Sequence, residues 1–270
     1  FCHPHFVMAQ CFDWAPLQSS VKTILTPYLK RRRIGSGRCA WLCRRFSYDL
    51  YLVVCRYRPC FLLDTFVAEI SDLSRILGHL KMEISELSDL LLIVVDDDAI
   101  FIAHQAETLR FLTSPTWLTR ILFINVDQSL STPSVCSDIE KRSIFEALEP
   151  FRQHLMAEIG RRSHAIVVKI KAPGNVNLSL IAGVILDYPV CYVSMASILS
   201  SSADHKSTSS PASVVNVNLQ VIEAFVEDFF PNMVAFSFTC PEVFSYLIPS
   251  PYCITFGTRS HIKFGFTISL

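Results

Sequence analysis

The stretch LLLIVVDDDAIFIA, residues 90–103, places three consecutive aspartates between two apolar runs. The flanking runs have the character of buried strands, and aspartate is among the residues that adopt the backbone conformations of a hairpin turn. The stretch therefore predicts a strand, a turn at Asp96–Asp98 and a second strand that begins at once.

A second interpretation of the same aspartates is metal-dependent catalysis. An apolar strand that ends in Asp-x-Asp is how phosphoaspartate phosphatases present a nucleophile and a Mg²⁺ ligand, and how many glycosyltransferases hold a divalent metal. Asp96 and Asp98 would supply that catalytic and metal-binding pair.

A phosphatase also needs a hydroxyl, a lysine and a further acidic pair after later strands, and no convincing set follows the strand at 121–126. A glycosyltransferase needs a phosphate-binding half, but the eight glycines form no G-x-G-x-x-G or G-K-[ST]. We therefore favour the turn and keep metal catalysis as the alternative.

Strand-like and helix-like patterns alternate on both sides of this stretch. Apolar residues recur at three- and four-residue spacing from Phe66 to Leu80, which predicts a helix over 65–80. Pro150 predicts a kink or a break in a long helix over 138–159. Further helices are predicted at 104–113, 177–186 and 241–247, and strands at 51–57, 121–126, 165–170, 190–193, 214–221 and 233–238. The alternation predicts an α/β fold in which helices pack against a mixed β-sheet.

The charge distribution suggests how the chain is divided. Residues 1–60 hold ten lysines and arginines against Asp13 and Asp49, although the whole chain has a net charge of zero. We expect residues 1–50 to be a basic, poorly ordered N-terminal segment or the product of an imperfect gene model. The single main domain then covers 51–248, and 249–270 form a C-terminal tail. Nine serines between 194 and 213 predict a surface loop.

The basic run suggests nucleic-acid binding as a further possibility. Lys30, Arg31, Arg32 and Arg33 are the candidate phosphate contacts, and aromatic residues follow them along the chain. No pattern typical of single-strand binding emerges, and a solvated basic segment explains the run equally well. We therefore expect no nucleic-acid partner.

Cysteine and histidine provide little support for a metal or a disulfide framework. Ten cysteines in 270 residues fall below the ~8–10% that marks a disulfide scaffold, so reduced thiols are expected. A zinc site is disfavoured because no C-x-x-C pair is present. Its ligands would be Cys2, His3, His5, Cys11, Cys39 and Cys43.

The sequence lacks the patterns that are typical of several protein classes. No apolar stretch approaches the roughly 18 residues of a membrane-spanning helix, and the first 15 residues do not resemble a signal peptide. G-x-S-x-G and H-E-x-x-H are both missing. We expect an intracellular protein, cytoplasmic or nuclear, without a cofactor.

Later segments carry a family resemblance. VNLSLIAGVILDYPVCYV (176–193), MVAFSF (233–238) and CPE (240–242), together with FLLD (61–64) and LLIVVDDDAIFI (91–102), resemble the uncharacterised family typified by the human chromosome 1 open-reading-frame seventy-four product. The resemblance covers about 60–248. Asp187 stands where glycine is expected and Cys240 where valine or a similar residue is usual. Asp187 still fits such a turn, since aspartate tolerates the left-handed conformation.

The resemblance implies a fold and no mechanism, because the family has no established activity. We therefore expect a non-enzymatic protein-interaction domain. The alternative is a divalent-metal phosphohydrolase or glycosyltransferase that uses Asp96 and Asp98.

Overall fold

The computed structural model describes residues 13–115, 117–161, 166–200, 217–225 and 233–247. The helices of this part are α1 (Trp14–Arg31), α2 (Ser36–Val54), α3 (Ile70–Glu83), α4 (Gln105–Thr113), α5 (Asp138–Arg161), α6 (Leu178–Ile185) and α7 (Met195–Leu199), with 3₁₀ turns at Ser85–Leu87 and Glu242–Leu247. The strands are β1 (Cys60–Leu62), β2 (Leu90–Val95), β3 (Ala99–His104), β4 (Leu122–Asn125), β5 (Ser134–Val135), β6 (Val167–Ile170), β7 (Val190–Val193), β8 (Leu219–Phe225) and β9 (Val234–Pro241).

The predicted hairpin is the centre of the largest sheet. β2 and β3 are antiparallel, and Val95 is paired with Ala99 across the turn. The amide of Asp98 donates to the carbonyl of Val95 at 3.0 Å. Asp96 and Asp97 have φ angles of 54° and 59°, as a type I′ turn requires at both central positions.

The strands form three sheets rather than one. The largest has the order β1-β3-β2-β6, with β6 parallel to β2; the second has the order β5-β4-β7, with β7 parallel to β4; β8 and β9 form a hairpin. Parallel and antiparallel pairs therefore coexist, as the α/β prediction requires. The second sheet is separate from the largest because β4 pairs with β5 and β7.

Two hydrophobic cores lie on opposite faces of the largest sheet. Leu91, Ile93 and Val95 of β2 pack with buried residues of α4, α5 and α6. Leu90 and Leu92 pack on the other face with α1, α2 and α3. This alternation explains why both runs of the hairpin are apolar at every position. The result is an α/β domain with helices on both faces of its main sheet.

Residues 14–50 are an integral part of this domain. In α1, Leu17, Val21, Leu25 and Leu29 recur every four residues and are buried, while the lysines and arginines lie on the exposed side. Residues 14–50, expected to be a poorly ordered basic segment, are thus helical and contribute buried side chains to the domain. Residues 51–54, predicted as a strand, complete α2. Residues 1–12 lie outside the described residues.

α2 also binds the last strand of the domain. The Arg45 guanidinium donates to the carbonyl of Val234 at 2.9 Å, and the Arg58 guanidinium donates to the carbonyl of Ala235 at 3.0 Å. The Tyr48 hydroxyl donates to the carbonyl of Met233 at 2.9 Å. These contacts satisfy backbone acceptors of the β8–β9 hairpin, so the N-terminal helices and the C-terminal strands form one unit.

Other element predictions differ in detail. α5 continues through Pro150 as one helix, because Leu148, Phe151 and Leu155 on its buried face hold it against the sheet. α3 begins at Ile70 rather than at 65, and the serine-rich stretch begins with the short helix α7. Residues 201–213 of that stretch and the tail at 249–270 lie outside the described residues. Within the described ranges, no helix combines the length and the apolar character that crossing a bilayer requires.

Candidate functional site

Two aspartates of the hairpin turn have hydrogen-bond partners outside the turn. Asp96 accepts a hydrogen bond from the amide of Ala172 at 3.1 Å, and Asp97 accepts one from Lys169 at 2.7 Å. The hydrogen bond and charge of Lys169 hold the pKa of Asp97 below its ordinary value. Two of the three carboxylates thus fasten the turn to β6 and the residues after it.

The described residues form no grouping of metal ligands around the candidate residues. In the part of the chain that the structure describes, no three histidine, cysteine, aspartate or glutamate side chains are grouped closely enough to hold an ion. Cys39 and Cys43 are buried side by side on α2, where Cys43 lies 3.6 Å from the Thr26 hydroxyl. The other proposed zinc ligands, Cys2, His3, His5 and Cys11, lie outside the described residues.

Asp98, in contrast, lines a cleft together with part of the basic run. The cleft has a volume of about 890 Å³ and lies where the α1–α2 turn, the residues after β1 and the hairpin turn meet. Five charged side chains line it: Arg32, Arg33, Arg38, Asp64 and Asp98. The basic run and the aspartate turn, which are far apart in the sequence, therefore meet at this cleft.

These five side chains make no ion pairs in the described structure, even though both signs of charge are present. The Arg32 guanidinium lies over the ring of Tyr28, 5.7 Å from its centroid. Elsewhere arginines are satisfied internally, as Arg152 is by Glu149 at 2.5 Å and Arg120 by Asp187 at 2.6 Å. The cleft thus holds charges that are available to a ligand.

A helix-terminating motif positions Arg32 and Arg33. The amide of Ile34 donates to the carbonyl of Leu29 at 3.1 Å, and that of Arg33 to the carbonyl of Lys30 at 2.9 Å. This is the hydrogen-bond pattern of a Schellman motif, in which Arg33 occupies the position that glycine usually takes. Its φ of 59° is strained for a residue with a Cβ. Arg33 therefore lines the cleft from a strained backbone conformation.

The start of α2 faces the same region. Its N-cap is Gly35, which lines the cleft, and no side chain caps the first amides of this helix. A Cβ at Gly35 or Gly37 would meet no atom within 4 Å, so the space beside this backbone is open. Uncapped amides and the helix dipole add positive potential to that of the arginines.

The remaining members of the basic run lie elsewhere. Lys30 and Arg31 are exposed in the last turn of α1 and do not line the cleft. Arg44, one of the basic residues on α2, is also exposed outside it. Of the four candidate phosphate contacts, the structure therefore assigns Arg32 and Arg33 to the cleft.

The buried thiols do not have the chemistry of nucleophiles. Burial raises the pKa of Cys136 to about 12 and that of Cys240 to about 11. It raises the pKa values of Cys60 and Cys191 as well. Cys39, Cys43, Cys60, Cys136, Cys191 and Cys240 are buried thiols that form no disulfide in the described structure. Since the thiolate is the reactive form, these side chains act as core residues.

A second polar cluster lies at the carboxyl ends of β4 and β7. Asp127 accepts hydrogen bonds from the Ser194 hydroxyl and, at 2.9 Å, from the amide of Ala196. Asn125 accepts from the amide of Asp127 at 3.1 Å. The two contacts of Asp127 hold the start of α7 to the residues after β4, which gives this carboxylate a structural role.

The cleft was missed from sequence, because its walls come from three distant segments. One local signal was available: the basic run is followed by Gly-Ser-Gly-Arg at 35–38, where glycines and an arginine open a helix. Nothing in the sequence around Asp64 or Asp98 indicates that these two residues lie beside that helix start.

Comparisons with known proteins give one match. A family model described as a domain of unknown function (DUF4504) matches residues 33–246, a range that includes Arg33, Arg38, Asp64 and Asp98. No curated protein and no solved structure matches the chain.

Proposed function

This chain belongs to the family defined by a domain of unknown function (DUF4504), and on that premise we propose that it is a non-enzymatic domain that binds a protein partner. The partner contacts the cleft lined by Arg32, Arg33, Arg38, Asp64 and Asp98, with an acidic segment on the arginine side. The proposed setting is intracellular, in the cytoplasm or the nucleus. We also propose the narrower relationship to the family typified by the human chromosome 1 open-reading-frame seventy-four product, which the segments at 176–193 and 233–242 support.

The observation that carries this proposal is that the charged side chains of the cleft form no ion pairs in the described structure. Guanidinium groups bind carboxylates and phosphates through paired hydrogen bonds, and they are enriched at protein interfaces. Arg32, Arg33 and Arg38 offer this chemistry around one opening without any ion pair to break first. An acidic segment can therefore bind there without breaking an internal ion pair.

The surface next to the cleft supports a protein partner. Trp41 is 57% exposed on α2, one helical turn beyond Arg38 and therefore on the same face. Val67 lines the cleft and is 84% exposed. Tryptophan and arginine dominate binding hot spots, and apolar side chains next to a charged cleft are covered when a polypeptide binds.

Metal-dependent phosphohydrolase or glycosyl transfer through Asp96 and Asp98 has less support. One Asp96 oxygen already accepts a backbone amide, and Asp97 between the two is held by Lys169. Asp98 lines the cleft, but three arginines line the same cleft, and their charge favours anions over cations.

The test is partner identification with paired charge-reversal variants. Proximity labelling in cells would compare the wild type with R33E/R38E and with the matched control R31E/R44E, which changes the same charge outside the cleft. We expect a set of proteins that is lost only in R33E/R38E. Each candidate is then purified and titrated by calorimetry. Equal binding by both variants would contradict the proposal, as would turnover of a substrate in a general hydrolase panel.

A further inference from the structure

We infer that the group bound at the arginine side of the cleft is a phosphate monoester on the partner, with a basic residue next to it in the partner's sequence. This inference rests on the proposed function and specifies its ligand. It assigns the arginines to the phosphate, and Asp64 and Asp98 to the neighbouring basic residue.

The number of donors favours phosphate over carboxylate. Three arginines line the cleft, each with several N–H groups, and a carboxylate can satisfy only about one guanidinium in bidentate geometry. A phosphate monoester carries about −1.5 to −2 charges near pH 7 and three strong acceptor oxygens. It can therefore bond to more than one of Arg32, Arg33 and Arg38 at the same time.

The backbone beside the arginines adds to this preference. Gly35 lines the cleft, and the space beside Gly35 and Gly37 is free of other atoms. A phosphate oxygen can approach the first amides of α2 there, where no side-chain cap competes for them. These amides supplement the arginines, which supply most of the positive charge.

Asp64 and Asp98 restrict what surrounds the phosphate. Both are exposed, both line the cleft, and neither forms an ion pair in the described structure. They repel acidic residues that extend beyond the arginine side of the cleft, and the repeated phosphates of a nucleic acid. They attract a lysine or arginine that follows or precedes the phosphate in a peptide.

The size of the cleft fits a short peptide segment. Its volume of about 890 Å³ lies at the upper end of the ~300–1,000 Å³ typical of ligand sites, far more than one phosphate fills. Room for two or three residues is what a phosphorylated side chain and its basic neighbour need.

The test uses four capped peptides and the full chain. The probes are acetyl-Ala-phosphoSer-Lys-Ala-amide, its phosphoSer-Glu and Glu-Lys counterparts, and an unmodified Ser-Lys peptide, each titrated at low salt. Amide NMR shifts at Gly35 and Gly37 report binding at the site. We expect the phosphoSer-Lys peptide to bind about 10-fold more tightly than the Glu-Lys or phosphoSer-Glu peptide, in line with charge-assisted bonding.

Variants locate each part of the preference. R33Q/R38Q should lose the preference for phosphoserine over glutamate, whereas R31Q/R44Q should retain it. D64N/D98N should bind the phosphoSer-Lys and phosphoSer-Glu peptides about equally. Unchanged melting temperatures show that the variants are folded.

The outcomes separate the two proposals. Equal affinity for the phosphoSer-Lys and Glu-Lys peptides overturns the phosphate inference but leaves the acidic partner standing. Failure of every peptide to shift Gly35 and Gly37 also overturns the inference, as does tighter binding of a single-stranded oligonucleotide than of any peptide. The proposed function fails separately, if cellular partners are unaffected by R33E/R38E.

Discussion

The Arg58 guanidinium lies 2.5 Å from one carboxylate oxygen of Asp49, and both side chains are almost fully buried. The Arg45 guanidinium lies 3.0 Å from the other oxygen. The same two arginines donate to carbonyls of β9. Asp49 thus orients the two cations that join α2 to the C-terminal hairpin.

Replacement of Asp49 should be strongly destabilising. D49A leaves two partly buried guanidinium groups without their carboxylate, and breaking a buried pair in this way costs about 3–5 kcal/mol. Urea denaturation would measure the loss of unfolding free energy. D72A is the control, because Asp72 pairs with an exposed arginine and should cost at most about 1 kcal/mol. Similar losses for the two variants would contradict the role of Asp49.

Removal of residues 1–50 should abolish folding. The truncated chain would lack α1 and most of α2, so that Leu90, Leu92 and Ile102 on one face of the sheet would be exposed. Burial of these side chains contributes about 1.5–3 kcal/mol each, which is comparable with the whole stability of a domain when summed. Near-ultraviolet circular dichroism of the fragment should show no native packing. A cooperative thermal transition in the fragment would show that the N-terminal helices are dispensable.

Replacement of Arg33 by glycine should raise stability and weaken phosphopeptide binding. R33G relieves the positive φ and should raise the free energy of unfolding by roughly 1 kcal/mol, while the phosphopeptide affinity falls. R31G is the opposite control: it introduces glycine inside α1, and should lower stability by about 0.5–1 kcal/mol without loss of affinity. A destabilised R33G would contradict the strain that the φ angle indicates.

Asp187 should make stability depend on pH. Burial raises its pKa to about 6, although the nearby Arg120 opposes the shift. Because the folded-state pKa lies above the unfolded value, the stabilisation is complete below about pH 4 and is lost as the pH rises through 6, on the order of 2–3 kcal/mol. D187N should remove this dependence and keep the turn, since asparagine also adopts positive φ. Denaturation of both proteins at pH 4, 5, 6 and 7 measures the difference. Parallel curves would exclude Asp187 as its source.

The parts of the fold that were predictable are those with local signals. The Asp96–Asp98 turn was predicted from its residue types, and a helix was predicted over 177–186, where Asn177 accepts the amide of Leu180 at 2.7 Å. At Asp187 the resemblance indicated a glycine-like turn, and its φ is 57°. Each of these features depends on a few neighbouring residues.

The features that the sequence patterns did not indicate depend on distant contacts or on a competing signal. α1 has apolar residues at four-residue spacing, but the positive charge of the region suggested a solvated segment instead. The separation of β4 and β7 into their own sheet is a matter of which strands pair, and periodicity does not encode pairing. The cleft joins residues 32–38, 64–68 and 98–100, so no single segment of the sequence could indicate it.

The bonds from α2 to β9 also set an order of events during synthesis. Arg45 and its acceptor on Val234 are 189 residues apart, so this contact waits for almost the whole domain to leave the ribosome. At about 5–20 residues per second, α2 is made roughly 10–40 s before its partner strand. Through that interval Arg45 and Arg58 lack their backbone acceptors on β9, whereas Asp49 has already been made. Closure of the domain by this contact is therefore a late step, and a nascent chain halted before residue 233 should remain open to proteases and chaperones.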